Sequence, residues 1–470
     1  MERRDLVILG GGAGGLVVAS VASQLGLKVT LIEKQPKLGG DCLHYGCVPS
    51  KTLIHAARVA HLQRRAADYG LTPSDATVDL GRVNDRVQDV IAHIQKHDDP
   101  ERFRSYGCEV DFGEASFTDP HSVEIAGRRI FAKRFVIATG SRPFVPPIPG
   151  LPEAGFLTNE SVFSLKTLPK RLAVLGGGPI GLELAQAFAR LGSAVTVIER
   201  LPRLLPAEDG EVAGRLRELL AAEGLTIHTD TTAERVERDG EMKVVHCNGG
   251  RRVEADALLV AVGRRPNVER LKLEAIGVAY DQRGIKVDGR QRTTLKNVYA
   301  CGDVCGPYPF THMAEYQAGI VIANAVFRFP KKADYRVVPW ATFTDPELAR
   351  AGLTEEQARA QGIEPEILRF PFESVDRALC EREPRGLVKL VAHKGRVLGA
   401  TVLGPHAGEY IHEIALVMRR SGRLRELTDT IHVYPTLAQS LRRAANTYYS
   451  GALFSPRTRA MVKWLNRLLP

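Results

Sequence analysis

Leu6-Val7-Ile8-Leu9-Gly10-Gly11-Gly12-Ala13-Gly14-Gly15 stands near the start of the chain, and Leu172-Ala173-Val174-Leu175-Gly176-Gly177-Gly178-Pro179-Ile180-Gly181 repeats its pattern further on. Each copy is an apolar run of strand length, a G-x-G-x-x-G turn on Gly10, Gly12 and Gly15 or on Gly176, Gly178 and Gly181, and then a helical pattern. Each runs on to a second apolar strand ending in an acid, Val29-Thr30-Leu31-Ile32-Glu33 and Val195-Thr196-Val197-Ile198-Glu199, at the same offset from its first glycine. One glycine turn is a weak signal. Strand, turn, helix and terminal acid occurring twice predict two dinucleotide-binding units. Glycines let the backbone approach a pyrophosphate, the helix N-terminus supplies amide donors, and the carboxylate accepts ribose hydroxyls, which makes Glu33 and Glu199 the ribose candidates.

Gly39-Gly40-Asp41-Cys42-Leu43-His44-Tyr45-Gly46-Cys47-Val48-Pro49-Ser50-Lys51 follows the first unit. Two cysteines separated by four residues can close a small loop, and a helix starting near them favours thiolate over thiol. One sulfur can then attack a substrate while the other faces an oxidant such as a flavin. Alone, the pair reads equally as a redox-active disulfide or as two buried cysteines acting as small apolar residues. The spacing is wrong for the usual zinc pairs, and no resident metal site is expected.

At 470 residues the chain is long enough for two to four domains, and its composition, 44% hydrophobic and 25% charged, is that of a globular protein. Seven cysteines without a leader sequence do not form a secreted disulfide framework, so a cytoplasmic location is expected. The apolar run from Leu6 to Leu27 is broken by Gly10, Gly11, Gly12, Gly14 and Gly15, which fits a phosphate-binding turn and not a membrane span. A net charge of +10 is spread over scattered arginines, so nucleic acid is not an expected partner. The proline-rich Phe144–Gly150 leaves the first unit, Arg264-Arg265-Pro266-Asn267 closes the second, and from Val337 the pattern changes to strands such as Leu387–Val391 and helices such as Tyr410–Ser421. The expected division is 1–149 and 277–334 for the first nucleotide domain, 150–276 for the second, 335–450 for a C-terminal domain, and 451–470 for a tail.

With these features the chain resembles the flavoprotein disulfide reductases, which include dihydrolipoamide dehydrogenase, glutathione reductase and mercuric reductase. The resemblance covers residues 3 to 450 and rests on Gly39–Lys51, Ala138-Thr139-Gly140, the second glycine turn running into Glu183, Val262-Gly263-Arg264-Arg265-Pro266-Asn267, and Ala300-Cys301-Gly302-Asp303-Val304. It implies an α/β fold of two Rossmann-like dinucleotide-binding domains plus a C-terminal α+β dimerisation domain, FAD on the first unit, NAD(P)H on the second, and a homodimer. It implies that electrons run from nicotinamide to flavin to a Cys42–Cys47 disulfide, with Cys47 on the flavin side and Cys42 exchanging with substrate. Lys51 resembles the family lysine near the flavin and Glu183 its ion-pair partner. Asp303 resembles the residue that holds the flavin's sugar-alcohol chain, and the helix beginning near His312 would aim its N-terminus at the flavin. Thr139, Gly140, Gly263 and Arg264 belong to the same cofactor-binding set. Cys301 and Cys305 are read as small core residues.

The chain departs from two of these relatives at Tyr434-Pro435-Thr436-Leu437-Ala438-Gln439, where they carry a histidine at the position of Tyr434 and a glutamate at that of Gln439. Both positions are expected to reach the substrate side of the partner subunit. A phenol is a poor base at neutral pH, so a lost proton relay is expected, unless His432, sharing a face with Tyr434 on an extended segment, replaces it. Mercuric reductase also has tyrosine there, and a soft metal ion needs thiolates more than a proton relay. The paired C-terminal cysteines of that enzyme are absent. Glu199 favours NADH over NADPH, with Arg200 beside it acting the other way. The expected activity is therefore an NAD(P)H:disulfide or thiol oxidoreductase closest to the mercuric reductase branch, acting on a small disulfide, a thiol or a soft metal. The rivals are a dihydrolipoamide dehydrogenase with an altered relay serving a lipoyl protein, and a redox-sensing or electron-transfer flavoprotein. The basic, amphipathic tail from Pro456 to Pro470 is expected to pack on the dimer rather than on a membrane surface.

Overall fold

The computed structural model describes residues 2–74 and 77–468; Leu469 and Pro470 of the tail lie outside the described residues. The chain divides into two compact units, the first made of Met1–Ala56, Val78–Leu168 and Leu259–Asp334, the second of Ala57–Thr77, Pro169–Leu258 and Tyr335–Pro470.

In the first unit a seven-stranded sheet runs in the order Cys108–Phe112, Val29–Glu33, Glu2–Leu9, Arg128–Ile137, Ser122–Ile125, Ala115–Asp119, with Val298–Ala300 also paired to Arg128–Ile137. Glu2–Leu9 is parallel to both its neighbours. Its Val7 and Ile8 are completely buried because helices and strands cover both faces, which is why the run reads as continuously apolar. Helix Ala13–Gln24 starts at Gly12 and lays Val18, Ala19 and Ala22 on the core. The third glycine of the turn allows this: a Cβ on Gly15 would sit 1.9 Å from the Gly10 carbonyl oxygen.

The second unit holds the other glycine turn. Strands Arg171–Leu175, Ala194–Ile198 and Thr226–His228 pair in parallel, and helix Pro179–Leu191 follows the turn. An antiparallel meander, Ala233–Asp239, Met242–Cys247, Arg252–Ala255, comes next. Its C-terminal part is a five-stranded antiparallel sheet in the order Pro339–Thr342, Glu347–Gly352, Arg396–Gly404, Leu387–His393, Glu366–Pro371. Val388, Leu390, Val402, Ile411, Ile414, Leu441 and Ala444 form the core between this sheet and helices Ala407–Arg420 and Gln439–Leu453. The helix expected at Tyr410–Ser421 begins three residues earlier, because His406 takes a left-handed conformation at its N-cap and turns the chain in from the strand.

Lys389 is a charge buried inside this sheet. Lys389, with 3% of its side chain exposed, places Nζ 2.9 Å from Asp209, 2.9 Å from Glu211 and 2.8 Å from Glu355. Asp209 also caps helix Gly210–Ala222, accepting from the Val212 N–H. Arg369 first, and Lys389 after it, pull the Glu211 carboxyl down to about 2. Glu211 thus lends stability at neutral pH that is lost as pH falls from its ordinary 4.5 toward 2. Lys389→Met leaves the carboxylates facing one another and should cost about 3–5 kcal/mol at pH 7. Thermal melts of both proteins check this, and the gap between them should narrow as pH falls through that window.

Candidate active site

The redox stretch is seated on the first glycine turn by backbone alone. Gly39 N–H donates to the Gly11 carbonyl at 2.8 Å, and a Cβ on Gly40 would lie 2.7 Å from Gly12 Cα. Gly39 and Gly40 have φ of +110° and +64°, which other residues rarely adopt. The short helix Gly40–His44 carries Cys42, and the long helix Cys47–Arg64 begins on Cys47 itself. The positive end of the helix dipole there favours a thiolate on Cys47.

The two sulfurs interact. A hydrogen bond with Cys47, then burial, pushes the Cys42 thiol far up, and a weaker one with Thr311 opposes the shift. Thr311 Oγ1 is also 3.6 Å from Cys47 Sγ. Charge on the pair is therefore favoured on Cys47. Cys47 is exposed and Cys42 half-buried, so exposure does not single out Cys42 as the outer sulfur; that assignment rests on the family resemblance. Thr311 begins helix Thr311–Val321, one residue before His312, whose ring stacks on Phe310 at 5.3 Å. Lys51 lies one helical turn after Cys47, on the same side, with Nζ 3.4 Å from Ser50 Oγ.

Behind the thiols lies a polar cluster. Arg264 reaches Asp41 at 3.1 Å, the Ser141 carbonyl at 2.9 Å and Ser141 Oγ at 2.7 Å, and Ser141 Oγ donates to Asp303 at 2.6 Å. Burial pushes the Asp303 carboxyl up, while Ser141 and Arg264 hold it down. The Gly302 N–H donates to the buried Gln317 at 2.7 Å, fixing the Asp303 loop to helix Thr311–Val321. Thr139 and Asn267 exchange two hydrogen bonds, Thr139 Oγ1 to Asn267 O at 2.7 Å and Asn267 Nδ2 to Thr139 O at 2.9 Å. Gly140 and Gly263, both at positive φ, flank the short strands Ser141–Pro143 and Arg264–Pro266 that pair there.

The two glycine turns have matching geometry. Glu33 accepts from Gly11 N–H at 2.7 Å and Gln35 N–H at 2.8 Å; Glu199 accepts from Gly177 N–H at 2.6 Å and Leu201 N–H at 2.7 Å. Leu38 packs over Gly11 as Leu204 packs over Gly177. Gly12 and Gly178 are N-caps with nearly identical extended dihedrals and no side chain capping the amides behind them. A Cβ on Gly178 would meet nothing within 4 Å, and on Gly12 only Gly40 Cα at 3.6 Å. Uncapped amides beneath open backbone fit a pyrophosphate at each turn.

Glu183, in helix Pro179–Leu191 of the second unit, accepts from the Phe343 N–H at 2.8 Å. Gln186 and Arg190 continue its stripe at i+3 and i+7: Gln186 Nε2 donates to the Asp345 carbonyl at 2.7 Å, and Arg190 bridges Asp345 at 2.6 Å and Glu223 at 2.8 Å. These two residues were not anticipated. Polar residues at helical spacing on an otherwise apolar helix were the available signal. Gln439 begins helix Gln439–Leu453, and Tyr434 stands 64% exposed, its phenol pushed up by a hydrogen bond to Asp376. The segment carrying His432 and Tyr434 bends at Tyr434–Pro435. The His432 side chain is only 5% exposed, its Nδ1 3.0 Å from the Thr430 carbonyl and its Nε2 2.9 Å from Glu413. Burial holds the Cys301 thiol at about 12 and Cys305 well above its ordinary value, so both stay protonated.

This sheet order, turn pair and cysteine loop define a two-nucleotide disulfide oxidoreductase. Residues 4–318 match the pyridine nucleotide-disulphide oxidoreductase family and residues 338–445 its dimerisation domain, and the chain belongs to that family. It is an FAD-dependent oxidoreductase that uses a pyridine nucleotide, and the second match supports a homodimer. It is 39% identical to a mercuric reductase of Bacillus cereus over 94% of this chain and 71% of that protein. It is also 39% identical to a dihydrolipoyl dehydrogenase of Thermus scotoductus over 96% of this chain and 99% of that one. Among solved structures, the HOCl-induced flavoprotein disulfide reductase RclA from Escherichia coli, in a Cu(II) complex, superposes with a TM-score of 0.86 and 31% identity over 93% of this chain and 99% of that one.

Arg264→Met should leave Asp41 and Asp303 without their shared cation. A loss of about 1.5–3 kcal/mol is expected, read as a lower thermal midpoint together with a lower flavin-to-protein absorbance ratio after gel filtration.

Proposed function

We propose that this chain is a cytoplasmic NAD(P)H-dependent reductase of small disulfides or soft metal ions, closer in chemistry to mercuric reductase than to dihydrolipoamide dehydrogenase. The observation that carries this reading is Tyr434 in place of an imidazole, exposed, its phenol pushed up by the Asp376 carboxylate. Bound FAD supplies the two-electron link between the nicotinamide and the cysteine pair. The uncapped amides behind Gly12, the Glu33 carboxylate and the Asp303 cluster are the groups offered for holding it, with Gly178 and Glu199 for the nicotinamide nucleotide. Lys51 on this reading supplies positive charge beside the reacting ring.

Once two electrons have opened the Cys42–Cys47 bond, the Cys42 thiolate attacks one sulfur of a substrate disulfide, forming a mixed disulfide and releasing the first thiolate. Cys47 then attacks Cys42 Sγ, closing the pair and releasing the second. A soft divalent cation would instead be held by both thiolates. Neither route takes a proton from the substrate. Oxidising a dithiol does, and Tyr434 is a poor acceptor for it.

The test compares dihydrolipoamide-dependent NAD⁺ reduction with NADH and NADPH oxidation driven by Hg(II) or by small disulfides, using FAD-loaded protein and a Cys42→Ser control. Metal- or disulfide-driven oxidation that Cys42→Ser abolishes, with little lipoamide turnover, is expected. Brisk lipoamide turnover would establish the dehydrogenase instead. Nicotinamide choice is proposed to follow the Glu199 charge. Glu199→Gln keeps an acceptor for Gly177 N–H but loses the repulsion, so the NADPH-to-NADH ratio of kcat/KM should rise about tenfold.

A further inference from the structure

Helix Pro456–Leu468 buries none of its side chains. Met461, Trp464, Leu465 and Leu468 recur at i, i+3, i+4 and i+7, forming one apolar stripe whose members are 40% to 60% exposed. Arg459, Lys463 and Arg467, at every fourth position, lie on the opposite face. Leu453 and Phe454, 59% and 62% exposed, precede the helix and add to the apolar surface. From Ser440 to Pro470 the sequence carries six Lys or Arg and no Asp or Glu.

An apolar stripe of this kind in water calls for a cover. The match to the dimerisation domain ends at residue 445, before the helix begins. A second copy would bring the same basic segment on a chain of net charge +10, so charge opposes that occupant. A bilayer with anionic headgroups complements both faces: Leu and Met in the acyl boundary, Trp464 at headgroup level, and the cations toward the phosphates. We propose that Pro456–Leu468 is an interfacial helix that docks the enzyme reversibly on an anionic membrane surface. The attachment is peripheral, since no helix among the described residues is long and apolar enough to cross a membrane. In a homodimer two such helices act together, raising avidity without any new contact.

Co-sedimentation of the FAD-loaded full chain with phosphatidylcholine vesicles containing or lacking phosphatidylglycerol tests this. The partition coefficient should be roughly tenfold or more higher with phosphatidylglycerol and should fall as salt rises. Tryptophan emission should shift to the blue on those vesicles, and the shift should vanish in Trp464→Phe, which retains Trp340. Leu465→Glu should lose sedimentation while keeping its NADH oxidation rate. Equal sedimentation with both lipids, or a Leu465→Glu protein that sediments like the parent, overturns the proposal. So does a chain ending at Ser455 that no longer dimerises, which would make the helix an arm of the subunit contact.

Discussion

The contact on which the site depends is one in which no side chain takes part. Gly40 lies against Gly12, and Gly39 is hydrogen-bonded to Gly11, so the redox stretch is laid directly on the N-terminus of the first nucleotide helix. Any Cβ at Gly40 would lift the loop off that turn, and with it both cysteines and the start of the helix that carries Lys51. The second turn shows what the same device looks like without that burden. Its acid, its leucine and its N-cap match the first, yet no loop covers Gly178, which faces open space. The two cradles match in geometry, and the first carries the thiols.

What could be read from the residues follows from how local each signal is. The glycine turns, the terminal acids and the cysteine loop are short patterns whose chemistry sits within a few neighbours, so the sequence carried them intact. Leu38 and Leu204 stand five positions after their acids and were equally legible, but their role over Gly11 and Gly177 emerges only from packing. Ser141 and Thr311 join the site from stretches distant in sequence, and nothing in the two side chains themselves announces it. Lys389 is the instructive intermediate. A lysine in the middle of Leu387-Val388-Lys389-Leu390-Val391 breaks an apolar strand and signals a buried partner, but not that Asp209, Glu211 and Glu355 supply it.

Proton traffic separates the candidate substrates. His432 is the imidazole nearest the family's lost histidine, and it is already committed. Its Nδ1 must carry a hydrogen to bond the Thr430 carbonyl, so the contact of Nε2 with Glu413 requires one further proton between them. Burial raises the Glu413 carboxyl, and the contact with His432 acts against that rise. Freeing the ring to act as a base would leave the half-buried Glu413 without its partner, which is costly. Tyr434, by contrast, is exposed and gives its hydrogen bond to Asp376. The imidazole at this tip is therefore tied up in hydrogen bonds, and the phenol is a weak base. Reduction of a disulfide ends in thiolates that need protons, and capture of a soft cation needs none from the substrate. Oxidation of a dithiol must place two protons somewhere, and neither group here is arranged to take them. On the proposed reading, the loss of the histidine is a change in the direction of proton flow that the substrate's own chemistry accommodates.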